Sequence, residues 1–106
     1  MIIKFDKEYL KELFENGSCT NKKYRFQPQV VKAYIRRVVT LAETKSPEDL
    51  YKLNSLNFEM LLGDKKGISS IRVDKKYRLE FIVSQESNSE IIINICTLTE
   101  LSNHYK

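Results

Sequence analysis

From Phe58 onward the apolar residues stop recurring at three- and four-residue intervals and fall into short alternating runs, a change of period that restricts the fold more than any other feature of the sequence. Ahead of that point, Tyr9, Leu10, Leu13 and Phe14 have helical spacing, with Asp6 as the cap and Gly17 as the stop. A Gly-, Ser-, Thr- and Asn-rich stretch from Asn16 to Asn21 reads as a loop, and Pro28 suits the first turn of a second helix. Val30, Val31, Tyr34, Ile35, Val38, Leu41 and Ala42 mark its buried stripe, leaving Lys32, Arg36 and Arg37 mostly off it. Ser46-Pro47-Glu48-Asp49 starts one more short helical turn, and Ile2, Ile3 and Phe5 suit a first strand. Past the change of period, Phe58 to Leu62, Ile68 to Val73, Tyr77 to Val83 and Glu90 to Leu98 are strand-forming runs. The expected fold is α+β, two N-terminal helices packed on a small antiparallel sheet.

Alternation sends Ile71, Val73, Tyr77, Leu79 and Phe81 to one side of the sheet and Ser70, Arg72, Arg78 and Glu80 to the other. With Asp74-Lys75-Lys76 as a three-residue turn, Arg72 lies across from Arg78 and Ser70 across from Glu80, on a face expected to be exposed. Two facing guanidiniums repel unless an anion or Glu80 stands between them, and guanidinium is the side chain best matched to phosphate. The plainer reading of the same residues is a solvated, salt-linked strand face.

A chain of 106 residues suffices for one modest core, so residues 1–106 are expected to be one domain. Eighteen Lys and Arg against fourteen Asp and Glu give a net charge of +4, a positive field suited to nucleic acid or an acidic partner. Lys22, Lys23, Arg25, Lys32, Arg36, Arg37, Lys65, Lys66, Lys75 and Lys76 are the candidate phosphate-backbone contacts, although each one taken singly also reads as a solubilising charge. Cys19 and Cys96 lack metal spacing and suit reduced thiols. The apolar run at the start is too short for a signal peptide, and no stretch approaches the ~20 apolar residues of a membrane span. A cytoplasmic protein, without membrane contact, is expected.

RNA can be cut without a metal when its 2′-hydroxyl attacks the phosphate, provided that a base, an acid and phosphorane-stabilising cations are at hand. His104 is the only histidine, and Tyr105 follows it; Glu80 is a second possible base, and Tyr77 could stack on a nucleobase or simply pack. Gly63 and Gly67 lack the spacing of a P-loop, and no His, Cys and carboxylate cluster has metal-ligand spacing. Neither a metal nor a small-molecule cofactor is expected.

The run Leu61-Leu62-Gly63-Asp64-Lys65-Lys66-Gly67-Ile68-Ser69-Ser70-Ile71-Arg72-Val73, followed by Tyr77-Arg78-Leu79-Glu80-Phe81, resembles the core of RelE/ParE superfamily toxins, closest to the HigB branch. The last residues, Ile95 to Lys106, are similar to those of Bacteroidetes-type HigB toxins. The resemblance spans the whole chain and implies a fold like that of microbial ribonucleases. It further implies a toxin of a type II toxin–antitoxin system that cuts mRNA in the ribosomal A site, with a HigA-like helix-turn-helix antitoxin as partner. By that resemblance Arg72 and Arg78 would hold phosphate, and His104 with Tyr105 would match the end that works near the scissile bond, in reversed order. Two departures stand out. Leu62 occupies the position of a lysine that is usual before the Gly-Asp pair, where Lys65 or Lys66 would have to supply the charge, and about Glu59 replaces a usual histidine. The ParE branch poisons DNA gyrase without nuclease chemistry, so a gyrase inhibitor is the alternative reading, and an inactive antitoxin-binding relative is a third.

Overall fold

The computed structural model describes residues 1–103. Five strands form one mixed sheet in the order β1-β5-β4-β3-β2, where β1 is Ile2–Phe5, β2 Glu59–Met60, β3 Ser69–Arg72, β4 Arg78–Ser87 and β5 Ile92–Ser102. Every pairing is antiparallel except that of β1, which runs parallel to β5 with Ile2 beside Ile95 and Phe5 beside Leu98. The fold class is the expected α+β, with a parallel strand added at the sheet edge.

Helices α1, Glu8–Asn16, and α2, Pro28–Glu43, pack on one face of this sheet. Ile71, Leu79, Phe81, Cys96 and Leu98 meet Leu10, Leu13, Tyr34, Val38 and Leu41 there in one core cluster. Each such aliphatic side chain, fully withdrawn from water, contributes about 1.5–3 kcal/mol. Two hydroxyls tie the layers: Tyr34 Oη donates to the Leu10 carbonyl at 2.7 Å, and Tyr9 Oη accepts from the Leu101 N–H at 3.0 Å. Leu101 lies beyond the end of β1, so Tyr9 occupies the place that a neighbouring strand would otherwise fill. Burial raises both tyrosine hydroxyls above the usual phenol range.

Several local expectations change. Lys7 rather than Asp6 stands at the α1 N-cap and makes no side-chain cap bond, while Gly17 does end the helix, at φ 76° with its N–H on the Leu13 carbonyl. On α2, Ala33 is buried and Ala42 exposed, Ala42 standing at the edge of the stripe formed by Tyr34, Val38 and Leu41. The strand expected at Phe58 to Leu62 shrinks to two residues, Glu59 and Met60, which pair with Ser70 and Ser69 before the Gly63–Lys65 3₁₀ turn; ahead of it, Pro47–Lys52 and Asn54–Leu56 form 3₁₀ turns that bury Leu50 and Leu56. Conversely β5 runs on to Ser102, held by pairing with Arg78. No helix among the described residues is long and apolar enough to cross a membrane.

Candidate functional site

The register expected from the turn is present: Arg72 pairs with Arg78 and Ser70 with Glu80, and Asp74 Oδ1 organises the turn by accepting from the N–H groups of Lys76 and Tyr77, both at 2.8 Å. On β5, Ser102 lies beside Arg78 and Glu100 beside Glu80. The sheet face away from the helices therefore carries Arg72, Arg78 and Ser102 in one row, and Glu59, Ser70, Glu80 and Glu100 in the next.

This half of the face is not open, which corrects the expectation of an exposed hairpin. Ser70, Arg78 and Glu80 are buried, Glu80 to 2% exposure. Residues 54–67, two 3₁₀ turns on either side of the two-residue β2, fold against the row and supply its partners. Arg78 Nε donates to Ser70 Oγ at 2.6 Å, and Nη2 donates to the carbonyls of Ser70, at 3.2 Å, and Asn57. Asn57 can turn its carbonyl inward because it sits in the left-handed region at φ 45°, which Asn tolerates better than most residues. Glu59 stands 4.0 Å from the same guanidinium. The Lys65 ammonium reaches both carboxylate oxygens of Glu80, at 2.9 and 3.0 Å. Lys7 meets Glu100 at 3.3 Å. Thus the facing arginines are separated by direction as well as by partner: Arg78 is bonded into the fold, and Arg72 Nε bonds to the Asp74 carbonyl at 3.2 Å, beside a cleft.

That cleft, of about 630 Å³, is lined by Arg37, Arg72, Lys75, Asn54, Ser55, Asn57, Val73 and Asp74. Arg37 crosses from α2 and donates from Nε to the Arg72 carbonyl at 2.9 Å. Its pKa is lowered by burial and by the positive charges of Arg36 and Arg72. A second hollow of about 410 Å³ on the other side of the 74–76 turn is lined by Arg25, Lys75, Lys76 and Tyr77 among others. The two share Asp74 and Lys75, and with Asp74 engaged by the turn's own N–H groups, Arg25, Lys75, Lys76, Arg37 and Arg72 form one cationic track around the turn. Elsewhere, Lys22 and Lys23 sit in a 3₁₀ turn with the Lys23 ammonium 5.5 Å from the Tyr24 ring centroid, and Lys32, Arg36 and Lys66 are exposed. Tyr77 packs its ring against Phe26 at 5.4 Å, edge to face, as a half-buried core residue. Leu62 is 85% exposed. His104 and Tyr105 lie outside the described residues.

Sequence reasoning did not single out Asn54, Ser55 and Asn57, because short polar residues after an unassigned stretch carry no period; the Leu53-to-Phe58 gap between the two patterns was their only trace. Cys96 is wholly buried, its thiol pushed up to about 12 by burial, whereas Cys19 is half-buried and donates to the carbonyls of Asn21 and Tyr24.

Residues 3–95 match the family model described as the RelE-like toxin of the type II toxin–antitoxin system HigB. Toxin HigB-1 of Vibrio cholerae is 33% identical over 82 residues, covering 76% of this chain and 82% of that protein. The solved structure of a YoeB/ParE toxin from Agrobacterium tumefaciens aligns over 99% of this chain and 100% of that one, with a TM-score of 0.59 at 18% identity, a likeness of fold.

Proposed function

The chain belongs to the HigB-like family of RelE-type toxins of type II toxin–antitoxin systems, and we propose that it is a single-domain cytoplasmic endoribonuclease that cuts mRNA on the ribosome. Membership in a type II system implies an antitoxin partner; a helix-turn-helix, HigA-like protein is the form we propose. The observation that carries the catalytic reading is the cationic track around the 74–76 turn running into the row that holds Arg78, Lys65 and Glu80.

In this reading Arg72, Arg37 and Lys75 seat backbone phosphates, for which paired guanidinium donors are suited. Lys65 supplies the positive charge that Leu62 cannot, since its ammonium reaches the buried row while Leu62 points to water. Arg78, bonded to Ser70 and Asn57, holds fixed positive charge under the reacting phosphate. His104 and Tyr105, which follow Ser102 in the chain, would exchange protons with the attacking 2′-hydroxyl and the departing 5′-oxygen, with Glu80 as an alternative base. The ribosome would align the substrate, and alignment lowers the demands on these few groups. No metal or cofactor enters this scheme.

A gyrase-binding inhibitor is the second reading, favoured by one observation: an exposed leucine stands where a lysine is usual. Primer extension on a reporter mRNA after brief induction separates the two. Translation-dependent cleavage ends are expected, lost in His104→Ala and in Arg72→Ala, with a drop of ~10²–10⁴-fold for the acid/base variant. Arg72→Ala is cleaner than Arg78→Ala because Arg78 also braces the fold. Growth arrest with intact mRNA and broken DNA would sink the nuclease reading in favour of gyrase, and continued growth would leave an antitoxin-binding relative.

A further inference from the structure

The sheet face opposite the helices carries its dense row of charges at one end and is mostly apolar at the other. Along β1, β5 and β4 the register sets Lys4, Thr97 and Ile82 side by side, then Ile2, Ile95 and Ser84, then Ile93 and Glu86. Strand alternation directs all eight away from Ile3, Phe5, Cys96 and Leu98, whose side chains belong to the helix-side core. Ile95 at the centre is 4% exposed, while Ile2, Ile82 and Ile93 around it are 50%, 42% and 36% exposed. Ile2, Ile82 and Ile93, set around the buried Ile95, thus make one apolar patch with Lys4 at one corner and Glu86 at the corner diagonally opposite, both exposed.

We infer that this patch is an interface between two copies of the chain. A two-fold axis lying in the face, through Ile95 and Ile82, lays the rows of one copy along the strands of the other. The stacked sheets then cross near a right angle, one of the two favoured ways for sheets to pack. Under that axis the two buried Ile95 positions lie over each other beneath their neighbours, Ile82 meets Ile82, Ile2 meets Ile93 of the second copy, and Thr97 meets its Ser84. Lys4 meets Glu86 of the second copy, and the symmetry makes this contact twice. Strand spacing and the two-residue repeat differ by only about 2 Å, so the opposed charges come within reach of a lysine side chain. Charge complementarity selects a second copy over another occupant: the patch carries its own counter-charges at the two corners that this one axis exchanges.

The test is sedimentation equilibrium on the full chain. A reversible monomer–dimer equilibrium is expected, with Lys4→Glu and Glu86→Lys each raising the dissociation constant about tenfold or more by placing like charges together twice per dimer. The double reversal Lys4→Glu with Glu86→Lys restores the pair and is expected to return the constant to within about threefold of the original. Ile93→Lys abolishes the dimer. All three sites are at least partly solvent-exposed, so circular dichroism and the melting temperature report an intact fold. A chain that stays monomeric at every accessible concentration overturns the inference, as does a double reversal weaker than either single change. A chain monomeric alone whose antitoxin binding is lost in Ile93→Lys also overturns it and gives the patch to the antitoxin.

Discussion

At Cys96 the folded chain keeps the thiol proton up to about pH 12, whereas an unfolded thiol releases it from about pH 9.0. The folded state therefore binds more protons through that window, and stability is expected to fall as pH rises, by up to about 1.4 kcal/mol per unit. Tyr9 and Tyr34, also raised, add a decline of the same sign above pH 10. Urea titrations from pH 8 upward check this, with Cys96→Ala expected to flatten the first part of the decline. Under native conditions a thiol reagent should label Cys19 and reach Cys96 only on unfolding. For the Lys65–Glu80 pair, Lys65→Met is expected to lower stability by roughly 1–2 kcal/mol, below the full value for a buried pair because Lys65 is 42% exposed. A urea midpoint unchanged in that variant would show that the remaining contacts of Glu80 suffice. The identity of Arg72, Arg78 and Glu80 as neighbours was legible from alternation and a three-residue turn. Their burial was not, because the cover comes from residues 54–67, whose shape depends on tertiary bonds to the very arginine they cover.

Elements with a strong period were readable, and those without one were not. Both helices follow from apolar spacing, and Gly17 marks the first one's end through a backbone angle that a Cβ resists. Gly17→Ala is expected to cost about 1 kcal/mol, a fall of roughly 4–8 °C in Tm for a chain of this size, although nothing crowds the added methyl. Gly17→Asn should lose less. Strand ends differ from expectation where pairing overrides composition: β5 extends through Glu100 and Ser102 because β4 offers partners to them, and the extra residue Thr99 is absorbed at an irregularity between Glu80 and Phe81. The parallel placement of β1 has no local signal, since a four-residue apolar strand looks the same whichever neighbour it joins.

For the molecule as a whole, the +4 charge indicates the sign of the target but not its place, which depends on the turn that brings Arg25, Lys75 and Arg37 together from three distant segments. Arg37→Ala is expected to weaken binding to ribosomes or RNA and to reduce the slope of log affinity against log salt by about 0.7–0.9 for each phosphate no longer neutralised. Filter binding at several salt concentrations measures it, and an unchanged slope would remove Arg37 from the track. The sheet order has a temporal side as well. β1 is made first but its one strand neighbour among the described residues is β5, made last, so the sheet edge closes across a loop of some ninety residues whose ordering carries an entropic penalty that grows with length. A nascent chain on the ribosome can form both helices early, yet it cannot assemble the row of Arg78, Glu80, Glu100 and Ser102 until synthesis has passed β5. Under the proposed function, each molecule would therefore be harmless to the ribosome that is making it.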